Sequence, residues 1–168
     1  PVNLWGELCG QTAGLSDPLA PTLARHAKAN TYQESVYSDL ARHAKEVLRG
    51  AGLDQPENWG TVESVELLDP HHPLDEIVAT LLYRVSQAPY RKILEVVKEW
   101  SEKEKHATIE VATRQRGPYD ELIKEFRSGY AFNFDILMDI GAWRDMHRHR
   151  RCQQVQQNFT TIHGYEIP

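Results

Sequence analysis

The sequence predicts an α+β fold in which an antiparallel or mixed sheet is flanked by helices. Three observations carry this. Residues 130–140 alternate strictly, with Tyr130, Phe132, Phe134, Ile136, Met138 and Ile140 on one side and Ala131, Asn133, Asp135, Leu137 and Asp139 on the other. That period of two, aromatic and β-branched on its apolar side, is the pattern of a half-buried strand. Helical stripes fill residues 74–113, and a second strand candidate, Thr61 to Leu68, lies on their far side. Helices between widely separated strands suit an α+β layer better than a βαβ repeat.

Taken in order, Pro1 to Pro21 carries Gly6, Gly10, Gly14, Pro18 and Pro21 and reads as a loop-like lead-in, with Leu4, Trp5 and Leu8 available to tack it down. From Thr31 to Arg49, Tyr32, Val36, Leu40, Val47 and Leu48 recur at helical spacing, and Gly50 supplies a stop. The hexapeptide L-A-R-H-A-K occurs at residues 23–28 and again at 40–45, without a third copy, and reads as coincidence between Ala-rich helical stretches. Turn residues between Gly50 and Gly60 place a boundary there: a helical lead-in over residues 1–60 and a domain over residues 61–168.

Within the second segment, Pro70 and Pro73 bracket a turn holding His71 and His72. Pro73 then suits the first turn of a helix, where its missing donor costs nothing. Leu74, Ile77, Val78, Leu81, Leu82 and Val85 form one apolar stripe over residues 74–87. After Pro89, Ile93, Leu94, Val96, Val97 and Trp100 form another over residues 90–100. Ser101 and Glu104 have capping-box spacing for a third helix reaching Thr113. R-Q-R-G-P at residues 114–118 breaks that helix. A short helix is expected over residues 119–127, then the strand, whose aromatic face is expected to lie in the core. Beyond Gly141, Ala142 to Arg150 reads as a short helix, and residues 153–159 as a continuing strand.

Hydrophobic residues make up 40% of the chain and charged ones 26%, an ordinary globular composition. The net charge of -5 argues against general affinity for nucleic acid. No apolar run approaches the ~20 residues of a membrane helix, and no signal-peptide core is evident. Two cysteines, Cys9 and Cys152, make no disulfide framework and point to a reducing, cytoplasmic setting. The chain opens on Pro1 and stops soon after its most distinctive stretch, which reads as a fragment of a longer protein.

That stretch is an arginine cluster. Arg144, Arg148, Arg150 and Arg151 fall within eight residues with Asp145 as the one acid among them. Such a cluster is either a solvated basic face or an anion site. Guanidinium forks bind phosphate bidentately, and a nearby helix end is expected to add backbone donors. His147, His149 and His163 lack the acid or cysteine that would complete a metal set, so none is expected. Cys152 has arginines beside it that favour a thiolate, yet a structural thiol is the simpler reading. Gln153, Gln154, Gln156, Gln157 and Asn158 form either a polar strand edge or an amide lining for a ring edge.

The segment F-x-F-x-I-x-x-x-x-x-x-R-x-x-x-R-H-R, residues 132–150, resembles the core of the flavin-dependent thymidylate synthases. There a strand and short helix lead into R-H-R-x-x-S-x-N-E-x-S-x-R-Y. Arg148, His149 and Arg150 match the R-H-R, and Arg144 an arginine that often precedes it. Later positions depart: Gln153 replaces the first serine, Val155 the asparagine, Gln156 the glutamate and Asn158 the second serine, while Thr160 and Thr161 replace R-Y. The wording D-I-G-A-W-R-D-M-H-R-H-R and the ending H-G-Y-E-I-P are similar to a divergent branch carrying two copies of the domain.

The resemblance implies the family's fold over residues 61–168, with methylation of deoxyuridine monophosphate (dUMP) to dTMP. It implies flavin adenine dinucleotide (FAD) as cofactor, with methylenetetrahydrofolate and NADPH as co-substrates, and a homo-oligomer or packing against a second copy. Arg148, His149, Arg150 and Arg144 are then the cofactor contacts, and Gln153 and Gln156 stand at substrate positions. No catalytic residue is assigned. The alternative is a degenerate, noncatalytic copy serving as an assembly or nucleotide- or flavin-binding module, which the replaced positions favour.

Overall fold

The computed structural model describes residues 20–68, 72–118, 120–127, 132–149 and 152–165, with side chains from residue 32 onward. The lead-in over residues 1–19 falls outside that range, as do Tyr119, Tyr130 and Arg150. The fold is α+β: five helices among the described residues and one antiparallel pair of strands.

Helix α1 (Ala20–Gly50) begins well before the stretch that periodicity marks out. It buries Tyr32, Val36, Leu40, Ala44 and Leu48. A spacing of four keeps these on one slowly turning stripe. After Gly50, Gly52 adopts a φ of +73°, a conformation few side chains tolerate. The chain then turns through a 3-10 turn (Pro56–Asn58) that buries Trp59, whose indole N–H donates to the Leu53 carbonyl at 2.9 Å.

Helix α2 (Pro73–Val85) starts on Pro73, as expected, and takes an unexpected cap from His72, whose Nδ1 accepts from the Leu74 amide at 3.3 Å. Val78, Ala79, Leu81 and Leu82 are wholly buried, so α2 is the helix the others surround. Val78, Ala79 and Leu82 join Leu48, Trp59, Ile93, Leu94 and Val97 in one apolar cluster. Leu81 joins Tyr32, Val36, Leu40, Ala112 and Ile123 in the other. Helices α3 (Tyr90–Lys98) and α4 (Glu102–Thr113) follow, and the Ser101–Glu104 capping box closes in both directions. Thus α1 shares both clusters with residues of the 61–168 segment.

Lys105, Asp75 and Glu125 leave water with a charged partner, as burial of an isolated charge would not be tolerated. Lys105 reaches Asp75 at 2.7 Å, fastening α4 to the first turn of α2. Glu125 is 1% exposed. It accepts from the Tyr37 hydroxyl at 3.0 Å and pairs with Arg84 at 3.6 Å, while the Arg84 guanidinium lies 4.8 Å over the Tyr37 ring. Burial, with Glu125 next to it, pushes the Tyr37 hydroxyl up to about 12. Glu125 belongs to a 3-10 turn (Lys124–Phe126), which is what stands where a short helix was expected.

Strands β1 (Val65–Leu68) and β2 (Asn133–Ile136) pair in the register Val65↔Ile136, Leu67↔Phe134. The ladder extends through the Leu137 amide to the Ser64 carbonyl. Both strands are shorter than the alternation suggests, and their orientation is the reverse of that expected. Phe132 and Phe134 are 71% and 56% exposed, as are Val65 and Leu67 at 59% and 56%. The opposite face turns inward. Leu68 is buried, and the Asp135 carboxylate accepts from the Tyr83 hydroxyl at 2.9 Å and the Tyr90 amide at 2.8 Å. Tyr90 N–H opens α3, where the first amides find no acceptor within the helix, and Asp135 accepts from it. Arg91 of α3 meets Glu66 of β1 at 2.7 Å. The sheet is a peripheral ribbon and β2 is not a central strand.

Phe134→Ala should therefore shift the denaturation midpoint by no more than about 0.5 kcal/mol, as for an ordinary surface site. Asp135→Ala, which removes an acceptor of the Tyr83 hydroxyl and of the Tyr90 amide, should cost about 1–3 kcal/mol or more. Urea titrations of both variants decide between this orientation and the reverse.

A second expectation concerns His43, whose Nε2 lies 2.9 Å from Thr108 Oγ1 between α1 and α4. Burial pulls its pKa below the ordinary value, with Glu46 opposing and Arg114 assisting. The unfolded chain therefore takes up a proton at about pH 6.5, before the folded one does. The His43 contribution to stability is present above that pH and shrinks as pH falls toward the lowered folded value. His43→Gln should flatten this part of the pH dependence when midpoints are compared at about pH 7.5 and 5.5.

Candidate functional site

Three residues beyond β2 the chain enters helix α5 (Ile140–Met146). Asp139 is its N-cap: Oδ1 accepts from the Gly141 amide at 2.6 Å and the Ala142 amide at 3.0 Å. Those two donors, Ala142 foremost, hold the Asp139 carboxyl below its usual range. Gly141 suits the cap because a Cβ there would stand 2.9 Å from Asp139 Oδ1. The helix is one residue pair longer at its start than the sequence suggests and ends sooner. Trp143 and Met146 are half-buried, and the Trp143 and His147 rings lie 5.4 Å apart.

Past Met146 the backbone tightens. The Arg148 amide donates to the Asp145 carbonyl at 3.2 Å and the His149 amide to the Met146 carbonyl at 2.9 Å. This turn carries Arg148 and His149, with Arg144 one turn earlier, and all three are exposed. Among the described residues, neither Arg144 nor Arg148 has a carboxylate within ion-pair distance. Of the acids just before the cluster, Asp135 accepts from Tyr83 and Tyr90 and Asp139 caps the helix. Arg150 lies outside the described residues.

One expectation about this site is corrected. The helix end beside the arginines is the C-terminal one, which presents carbonyl oxygens and no free amides, so it adds no donors for an anion. Positive charge there comes from the guanidinium groups alone. Among the described residues no group of His, Cys, Asp and Glu has a geometry able to hold a metal ion. Cys152 is a free, exposed thiol that donates to the His149 carbonyl at 3.3 Å.

Residues 153–159 form no strand. They run as an extended strap held by side-chain amides. Gln157 Nε2 donates to the Ala88 carbonyl at 3.0 Å, and Gln87 Nε2 donates back to the Asn158 carbonyl at 3.2 Å. Gln154 Nε2 donates to the carbonyls of Met146 and His149. Gln153 and Gln156, which stand at the substrate positions of the resemblance, are half-buried and make no side-chain hydrogen bond among the described residues. The alternation of amides in sequence marks the strap, but only the structure separates the amides that hold backbone from those left for something else. Farther on, His163 sets its ring 5.4 Å from Trp59.

Comparison with known proteins adds relatives but no activity. The chain is 26% identical over 152 residues to a UPF0159 protein of Chlamydia pneumoniae, covering 88% of this chain and 28% of that one. It is 30% identical over 95 residues to a UPF0159 protein of Chlamydia muridarum, covering 56% of this chain and 18% of the other. The chain thus spans less than a third of the length of these relatives. No family model matches it. No solved structure matches it significantly.

The cap yields a direct expectation. Asp139→Ala should fray α5, read as faster amide exchange at Gly141 and Ala142 and a red-shifted Trp143 emission, with the helical body unaffected. Because the Asp139 pKa is lowered, the cap is in place above about pH 3.9 and disappears as pH falls through the lowered value. In wild type the same spectral change should accompany acidification through that range.

Proposed function

We propose that the chain is part of a flavin-dependent thymidylate synthase-like protein, in which Arg148, His149 and Arg150, with Arg144, hold the phosphates of FAD. The observation that carries this reading is the R-H-R match on a turn whose arginines, where described, have no carboxylate partner. Guanidinium groups left free of acids fit a diphosphate, whose oxygens they bind bidentately. When bound, flavin supplies the reducing chemistry for methylating dUMP with carbon from methylenetetrahydrofolate, NADPH recharging it. Gln153 and Gln156, whose side chains make no hydrogen bond among the described residues, are the groups available to a uracil ring edge. The oligomer implied by the resemblance would bury the exposed apolar face formed by Val65, Leu67, Phe132 and Phe134.

A second reading, a noncatalytic copy of the domain, is favoured by a specific observation. The glutamate and arginine of the signature are Gln156 and Thr160, so two charged contacts to a nucleotide are absent. A missing partner of that kind costs about 1–3 kcal/mol, and losses at one site compound. This chain alone should then release tritium from 5-³H-labelled dUMP slowly or not at all, even with FAD, NADPH and methylenetetrahydrofolate supplied. Robust release would remove the second reading.

Titration with FAD and with dUMP tests the first. Replacing Arg148 or Arg150 by Lys should weaken binding about tenfold or more, since an ammonium cannot reproduce the fork. Affinity should also fall as salt screens the exposed charges. Equal binding by wild type and the Arg148→Ala, Arg150→Ala double variant would overturn the proposal.

A further inference from the structure

The R-H-R turn is held by a residue outside the matched triplet. Gln154 is half-buried, and its amide nitrogen lies 3.1 Å from the Met146 carbonyl, 3.1 Å from the His149 carbonyl and 3.3 Å from Cys152 Sγ. Its own main-chain carbonyl accepts from Lys124 Nζ at 3.3 Å. The two amide protons thus bridge the last carbonyl of α5 and the carbonyl that ends the turn, on either side of Arg148. Lys124 ties the same residue to the body of the fold, next to buried Glu125.

Two physical consequences follow. A side-chain amide bonded to carbonyls three residues apart fixes the backbone between them, and so the direction in which Arg148 and His149 leave it. It also occupies acceptors that would face any anion drawn to those side chains, because the C-terminal end of a helix carries partial negative charge. We propose that Gln154 is a positioning residue for the anion site: it sets the Arg148–His149 turn and quenches the carbonyls beside it. The inference rests on the reading of that turn as a phosphate site, but its first consequence holds with no ligand present.

The test uses the whole chain and three variants. Gln154→Glu and Gln154→Met keep the length of the side chain and remove its donors, whereas Gln154→Lys keeps a donor nitrogen on a long chain. Nuclear magnetic relaxation of the Arg148 and His149 amides reads the turn without ligand. Order parameters should lie near about 0.85 in wild type and below about 0.6 in the Glu and Met variants, with Lys between them. Urea midpoints should stay close together, which separates a local effect from loss of fold. FAD titration should then show affinity about tenfold weaker in the Glu and Met variants, partly restored by Lys. Unchanged order parameters would overturn the proposal. Loosened turns with unchanged FAD affinity would overturn the positioning role. Absence of FAD binding by wild type would overturn the proposed function and the binding half of this inference, while relaxation would still decide the clamp.

Discussion

The Asp135 carboxylate is the contact on which the outer part of this molecule depends. A two-stranded ribbon has too little of its own to stand in water, and this one presents its larger apolar side chains outward. It is held by its polar face. One carboxylate oxygen takes the Tyr83 hydroxyl and the other the first amide of α3, where the helix carries partial positive charge. Burial raises the Tyr83 hydroxyl pKa, with Asp135 adding to the rise, so it remains a donor to the carboxylate under ordinary conditions. Leu68 and the Arg91–Glu66 pair complete the attachment. That fastening is one of the points from which the segment carrying α5 is held, the others being the contacts of residues 154–163 with the body.

The helical body was readable in the sequence for a simple reason: each stripe covers enough turns for the period to stand out, and α2 to α4 are bounded by residues with local capping chemistry. Pro73 and the Ser101–Glu104 box act within one turn, without tertiary context. The sheet was readable only in part. Alternation shows that two faces differ and leaves open which one meets the core. Phe132 and Phe134 suggested the aromatic face, but the two apolar clusters are filled mainly by helix residues, with Leu53, Trp59, Ala88, Ile123 and, from the ribbon, Leu68. What the body offered the ribbon was a tyrosine hydroxyl and the first amide of α3, and an aspartate answers those donors better than a phenylalanine.

The candidate site divides the same way. Arg144, Arg148 and His149 do share one helix end, as four-residue spacing requires. The direction of that end, and hence the lack of backbone donors, depends on how the strand hands over to the helix, a three-dimensional matter. The glutamines show the limit most plainly. Five amides in six residues look interchangeable in sequence, yet among the described residues Gln154 and Gln157 are bonded to backbone carbonyls while Gln153 and Gln156 are not. Gln154 meets the carbonyls of the turn just before it, whereas the acceptor of Gln157 is Ala88, some seventy residues away, and no local pattern records which amide goes where.

The strap has one more consequence, for how this region can change over evolutionary time. Asp135 grips Tyr90, and twenty-odd residues later Gln157 and Asn158 grip Ala88 and Gln87. Both feet of the excursion that carries α5 and the arginines therefore stand on the single link between α2 and α3. Between the feet the excursion meets the body again where Lys124 Nζ donates to the Gln154 carbonyl; apart from that tie its length can change at little cost, since closing a longer excursion costs little more than closing a short one. Insertions, deletions or wholesale replacement between the two feet are the changes this architecture tolerates most easily. The helical body and the arginine-bearing excursion are thus free to diverge at different rates.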